Sequence, residues 1–335
     1  MFIVTGGAGF VGSNLVRELN RRGHTDILVV DNLTRADKVR NLADLTLADY
    51  MDKREFRARL DAGTLDLRPE AVFHNGACSD TMEADGRYLM ENNYGDSKAL
   101  LHWCLARKAP LIYASSAATY GASPAFEPVP ANERPLHIYG YSKLAFDQHV
   151  RSLLPAIQSP VVGLRYFNVF GPREGHKGRM MSVLHQLLRQ LQETAVCRLF
   201  RGTDGYPDGE QLRDFIFVGD IVAINLHFGA GGMVKDIVNA GTGRARSFND
   251  IARTLIAHLG RGRIDYIPFP SELVGKYQSF TQADVRSLRT AGYTAPFTEL
   301  EAGIAATLAE ILKNKLIAED TEGARKAQKK NPCVS

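Results

Sequence analysis

The chain has 335 residues, 44% hydrophobic and 23% charged, which supports a full globular core and excludes a peptide, a fibre or a disulfide-stapled mini-domain. Its net charge of +4 sits mostly at the end. Residues 313–335 hold Lys313, Lys315, Arg325, Lys326, Lys329 and Lys330 against Glu319, Asp320 and Glu322, so no nucleic-acid face is expected on the body. No apolar run reaches the ~18 residues of a membrane span, so no membrane association is expected. Met1–Thr5 turns straight into glycines with no basic region before it, so no signal peptide is expected either. Cys78, Cys104, Cys197 and Cys333 show no paired spacing and suit a reducing cytoplasm.

In chain order, Phe2–Thr5 reads as a strand and Phe10–Arg22 as a helix, with Phe10, Val11, Leu15 and Leu19 at helical spacing. Ile27–Val30, Ala71–His74 and Leu111–Ser115 read as strands, and Met82–Arg107 as one helix. This alternation predicts an α/β protein, a doubly wound parallel sheet whose ligands gather at the strand C-termini. Further on, Val161–Phe170 reads as one strand, Met181–Leu191 as a helix and Gly202–Gln211 as a loop. Short strands at Asp214–Val218, Ile237–Asn239 and Ile264–Ile267 then alternate with helices at Asp220–Phe228 and Phe248–Leu259. These build a smaller α/β lobe. The polar tail from Glu319 is expected to lack fixed structure.

Two motifs carry chemistry. Gly6, Gly9 and Gly12 follow a strand and open a helix, the setting in which a pyrophosphate meets free N–H groups at a helix start. Asp31, about twenty residues on, would accept hydrogen bonds from an adenosine ribose. Arg35, Lys38 and Arg40 follow it and would suit a 2′-phosphate, which favours NADP over NAD and leaves both open. Second, Tyr139 and Lys143 stand at i and i+4, on one face of a helix. A nearby ammonium lowers a phenol's pKa, so Tyr139 could exchange a proton with a substrate hydroxyl while Lys143 holds the nicotinamide ribose. Ser116, at a strand end upstream, would bond the same substrate oxygen.

The order of glycine loop, strand-end Ser and Tyr-x-x-x-Lys resembles the extended short-chain dehydrogenase/reductase family of nucleotide-sugar epimerases and dehydratases. Asn75-Gly76-Ala77 resembles its segment beside the cofactor. Arg213-Asp214-Phe215-Ile216-Phe217-Val218-Gly219-Asp220 resembles its second-lobe signature, whose Arg meets the substrate's phosphates as a forked donor. Ala117 and Ala118 stand where the dehydratases carry an acidic pair, which argues against dehydration. Narrower runs resemble the branch of the family that acts on ADP-linked heptoses: Asp26–Leu33, Ala48–Lys53, Arg165–Gly178 and Tyr277–Asp284.

The resemblance implies a Rossmann-type fold with an NADP-binding domain over 1–167, to which some later segments return. A substrate lobe would occupy 168–318, with a basic tail at 319–335. It implies tightly bound NADP that takes a hydride from C6 and returns it to the other face, with Tyr139 and Lys177 as the two proton-transfer groups. By residue-wise match the cofactor would touch Gly6, Gly9, Phe10, Val11, Gly12, Asp31, Asn32, Lys38, Lys53, Asn75, Gly76, Ala77, Cys78, Ser79, Asn92, Lys143, Val169 and Lys177. The substrate would touch Asn168, Arg179, Gln186, Phe200, Arg201, Gly202, Thr203, Arg213 and Tyr277. A cytoplasmic homo-oligomer, a pentamer, is implied; no metal is expected. The chain departs from the pattern at Arg179, where a Ser is usual, and at Gln186, where a His is usual. It departs again in a longer loop at Asp204–Gln211 and in the extra tail. Two other readings stay open: another nucleotide-sugar 4-epimerase, and an NADP-binding sensor without turnover.

Overall fold

The first strand sets the plan of the core. Phe2 and Val4 pack on one side of it and Ile3 on the other, the period of two expected of a strand buried on both faces. Both faces being apolar, helices must cover both. The computed structural model describes residues 1–271 and 277–313. The helices are α1 (Phe10–Arg21), α2 (Lys53–Asp61), α3 (Gly86–Leu89), α4 (Asp96–Arg107), α5 (Ile138–Leu153), α6 (Val183–Thr194), α7 (Val218–Gly229), α8 (Phe248–Leu259) and α9 (Arg286–Thr290). A tenth, α10, covers 300–313.

The main sheet has seven parallel strands. They are β1 (Phe2–Thr5), β2 (Ile27–Asp31), β3 (Asp49–Asp52), β4 (Ala71–His74), β5 (Leu111–Ser116), β6 (Val161–Tyr166) and β10 (Lys235–Ala240). Their order is β3-β2-β1-β4-β5-β6-β10, the doubly wound arrangement, so the expected fold class is met. Strand order reverses between β1 and β4, β2 and β3 being added on one side and β5 and β6 on the other, and a crevice opens above their C-termini. On one face α1 and α7 pack Leu15, Leu19, Ile221 and Phe228 against Phe2, Val29 and Phe73. On the other, Leu100, Trp103, Phe146 and Val150 cover Ile3, Leu28 and Val72.

The second lobe holds β7 (Asn168–Phe170), β8 (Val196–Phe200), β9 (Leu212–Phe217), β11 (Ala245–Ser247) and β12 (Arg263–Ile267) in two small sheets. Leu184, Leu187, Leu191, Leu199, Phe215, Leu255 and Ile304 form its core. Two sequence expectations need correction, and one strand went unread. Val161–Phe170 is two strands in different sheets, because the chain leaves the main sheet at Phe167. The helix expected over Met82–Arg107 starts at Gly86, capped by Asp85 Oδ1, which accepts from Tyr88 N. It also widens into a π-type turn at Met90–Gly95. The strand β3 is short and acidic, and no apolar run marks it. The tail expected from 319 lies outside the described residues. Among the described residues no helix is long and apolar enough to cross a membrane.

Candidate active site

A cleft of about 740 Å³ opens at the C-terminal edge of the main sheet. Its floor is the glycine loop. Gly6 has φ +68°, and a Cβ there would sit 2.7 Å from Gly76 N. A Cβ on Gly12 would sit 2.2 Å from the Gly6 carbonyl oxygen. Side chains are therefore excluded where α1 begins, leaving a bare cradle of N–H groups that fits a dinucleotide pyrophosphate. Beside it, buried Asp31 accepts from Ala8 N at 2.8 Å and from Lys38 Nζ at 2.6 Å. Lys38 thus neutralises the carboxylate, while Arg35 and His176 also line this end. Burial first, then Lys38 and Lys177, push the His176 imidazole down to about 4. Arg40, the third candidate cation, is not on the lining.

The β4 loop and the widened turn form the next wall. Asn93 Oδ1 accepts from Cys78 N at 2.8 Å, and its Nδ2 donates to Cys78 O and to Ser142 Oγ, each at 3.0 Å. Ser142 Oγ donates to Tyr139 O at 2.7 Å, so the turn is tied to the start of α5. Lys53 Nζ donates to Asn92 Oδ1 at 2.5 Å. Thr5 Oγ1, His74 and Ser97 Oγ join the glycine loop to α4 at 2.6 and 2.7 Å. Ser97 Oγ donates to Asn93 O, so His74 carries its proton on Nε2. Burial, then Lys143, lower its pKa to about 3. Sequence reasoning missed His74 and Asn93; their only signal is adjacency to Asn75 and Asn92.

The reactive groups stand on α5 and the segment after β7. Tyr139, Lys143 and Ser116 all line the cleft. Lys143 Nζ donates to Ala114 O at 2.8 Å, and burial brings its pKa down to about 8. The expectation that this ammonium lowers the Tyr139 phenol is not met. Burial dominates and raises Tyr139, while the neighbouring Ser116 hydroxyl pulls it down. Lys177 Nζ lies 3.6 Å from Glu174 Oε2 and 5.1 Å from the Phe10 ring centroid. Glu174 is fully buried and fixes this segment, accepting from Ser182 N at 2.7 Å and Ser182 Oγ at 2.8 Å.

Every residue expected to touch the cofactor lines this one cleft, as does Asn168. The other expected substrate contacts do not. Arg179 is mostly exposed and bonds Asp80 Oδ2 at 2.6 Å, across the cleft mouth. Gln186 Nε2 donates to Met181 O at 2.8 Å. Arg213 lies under Tyr277, its guanidinium 4.6 Å from the ring centroid. Burial lowers its pKa, with Tyr277 and Tyr206 acting the other way. Phe200 and Tyr277 each pack edge-on against Phe269. Arg201, Gly202 and Thr203 open the adjoining loop, where Gly202 N donates to Asp208 Oδ1 at 2.8 Å. None of this second group lines the cleft. Among the described residues no cluster of three or more His, Cys, Asp or Glu could hold a metal.

Known proteins are similar to the chain over nearly its whole length. The chain is 57% identical over 305 residues to the ADP-L-glycero-D-manno-heptose-6-epimerase of Alkalilimnicola ehrlichii, covering 91% of this chain and 95% of that protein. The crystal structure of the Helicobacter pylori ADP-L-glycero-D-manno-heptose-6-epimerase superposes with a TM-score of 0.80 at 33% identity, over 92% of this chain and 95% of that one. The UDP-glucose 4-epimerase of Thermotoga maritima superposes with a TM-score of 0.79 at 27% identity, over 93% and 99%. The sequence profile of the NAD dependent epimerase/dehydratase family matches residues 2–241, and the chain belongs to that family.

Proposed function

We propose that the protein is an ADP-heptose 6-epimerase, interconverting ADP-D-glycero-D-manno-heptose and ADP-L-glycero-D-manno-heptose by transient oxidation at C6, for the core sugar of lipopolysaccharide. The observation that carries this reading is the 57% identity to a named 6-epimerase across nearly the whole of both chains. The roles read for the cleft residues are these. The glycine loop and the α1 N-terminus bind the pyrophosphate, Asp31 the adenosine ribose, and Lys143 the nicotinamide ribose. A nicotinamide held there would supply reversible hydride transfer at C6. Tyr139 Oη and Lys177 Nζ handle the hydroxyl proton, one taking it as the alcohol becomes a ketone, the other giving one as the ketone is reduced on its opposite face. In the reverse direction they exchange roles. Ser116 orients the substrate oxygen, and the Arg213–Tyr277 group holds the nucleotide end. Incubating the purified protein with ADP-D-glycero-D-manno-heptose and no added cofactor should yield both C6 epimers by NMR. No change, even with NADP supplied to folded protein, would remove the heptose assignment.

The cofactor is read as NADP, because Lys38 relieves the repulsion between Asp31 and a 2′-phosphate and adds a cation with Arg35. Lys38→Ala is then expected to weaken NADP binding at least about tenfold more than NAD binding, measured by titration calorimetry; equal losses would sink the preference. A nucleotide-sugar 4-epimerase is the second reading, favoured by the Thermotoga superposition. The two part at Lys177. Lys177→Met should cut heptose epimerisation by roughly 10²-fold or more as one proton-transfer group is lost, and intact turnover would favour the 4-epimerase. The protein is placed in the cytoplasm as a homo-oligomer, a pentamer if it assembles as its resemblance implies.

A further inference from the structure

One buried cluster has no part in the mechanism above. Asp147 lies on α5 at i+4 from Lys143 and i+8 from Tyr139, on the same face and fully buried. It is gripped from the sheet. Tyr113 OH donates to its Oδ1 at 3.0 Å, Ser115 Oγ to its Oδ2 at 2.8 Å, and Arg165 Nε to its Oδ2 at 2.9 Å. The first two donors flank Ala114, whose carbonyl takes the Lys143 ammonium. Asp147 and Lys143 therefore dock on one three-residue stretch of β5. The fit depends on Gly163 of β6, because a Cβ there would sit 2.4 Å from the Tyr113 hydroxyl. Arg165 is itself fixed: its Nη2 donates to Glu133 Oε1 at 2.5 Å, and Arg151 of α5 holds the same oxygen at 2.7 Å.

We propose that Asp147 is a positioning residue for the reaction. Its carboxylate sets where the Tyr139–Lys143 face of α5 sits on β5 and puts a negative charge one helical turn from the buried Lys143 ammonium. The inference rests on the roles given above to Tyr139 and Lys143. The groups around Lys143 leave this task to Asp147. On its own helix are the Tyr139 phenol and Asp147. From β4 and its loop come His74, neutral because burial holds it low, and the Cys78 thiol. From β5 come the Ala114 carbonyl and the Tyr113 phenol, whose pKa burial keeps well above the ordinary value. From β6 comes Arg165, a second cation. Burial drives Lys143 down to about 8; Asp147 is the foremost group acting against it, ahead of Cys78.

The test is Asp147→Asn, which keeps the size of the side chain and removes its charge. Protein labelled with 13C at the lysine Cε reports the Lys143 titration, its signal identified by its loss in Lys143→Arg. The midpoint should fall by about one pH unit or more. The alkaline limb of kcat should move with it. A shift of that size costs about eightfold in turnover at pH 8.5 and about 1.3-fold at pH 6.5. An unmoved midpoint would overturn the proposal, whatever happens to stability. Tyr113→Phe tests the docking half by slackening the grip while leaving the charge. It should lower kcat several-fold with KM for the nucleotide sugar unchanged, and an unchanged kcat would overturn that half. If wild-type protein fails to epimerise ADP-heptose, the functional reading fails, and the lysine titration still decides the role of Asp147.

Discussion

Tyr139→Phe is expected to cut epimerisation by ~10²–10⁴-fold while leaving cofactor affinity within a few-fold. The substitution removes one oxygen. The ring, which stacks on His137 with centroids 5.9 Å apart, stays in place. The backbone at Tyr139 is held from outside by Ser142 Oγ, so α5 keeps its start. What goes is the proton handle beside Ser116. Without it the C6 hydroxyl cannot lose its proton as the hydride departs, nor regain one on return. NMR of the two epimers measures turnover, and quenching of protein fluorescence measures cofactor binding. Retained turnover would mean that Lys177 or another group serves both faces.

Arg165→Leu carries the largest expected effect on stability, a loss of ~3–5 kcal/mol. Arg165 is fully buried, with Asp147 on one side and Glu133 on the other. Removing it leaves the buried Asp147 and Glu133 each short of an ion-paired partner. Urea unfolding at pH 7 should show a lower midpoint with little change in slope. The dependence on pH has a sign. In the wild type, burial pushes Glu133 up, but hydrogen bonds from Arg151 and Arg165 overcome it and hold Glu133 below its ordinary value. That contribution is present above the unfolded-state pKa and is lost as acid is added. Arg165→Leu removes one of the two guanidinium partners of Glu133 and so has less of that contribution to lose. The gap between the two proteins should therefore narrow as the pH falls below about 4.3, the ordinary carboxylate value. A constant gap would mean that Arg151 alone holds Glu133 down.

Local residue patterns made the site's framework legible. Glycines at 6, 9 and 12 between a strand and a helix, and Tyr139 four residues before Lys143, are constraints of backbone and helix geometry that survive any tertiary context. The cleft accordingly collects all the expected cofactor contacts. What was not legible depends on pairs far apart in sequence. No local pattern pairs Arg179 with Asp80, nearly a hundred positions away. The Tyr139 phenol was expected to be lowered by Lys143, but burial, which no spacing reports, decides the direction. Phe167 sits inside Val161–Phe170, which reads as one strand, and nothing local says that the chain changes sheets there.

The main sheet is finished by a strand that arrives late. β6 ends at Tyr166, and its outer neighbour β10 begins only at Lys235, after β7, α6, β8, β9 and α7. During synthesis from the N-terminus, β6 waits with unpaired N–H and C=O groups on one flank while those elements are made. An open strand edge of this kind is a template for pairing with another chain. The nascent protein therefore carries β6 as an open edge while its nucleotide-binding half is nearly complete, and that flank of β6 is covered only once Ala240 has been added and β10 has folded back.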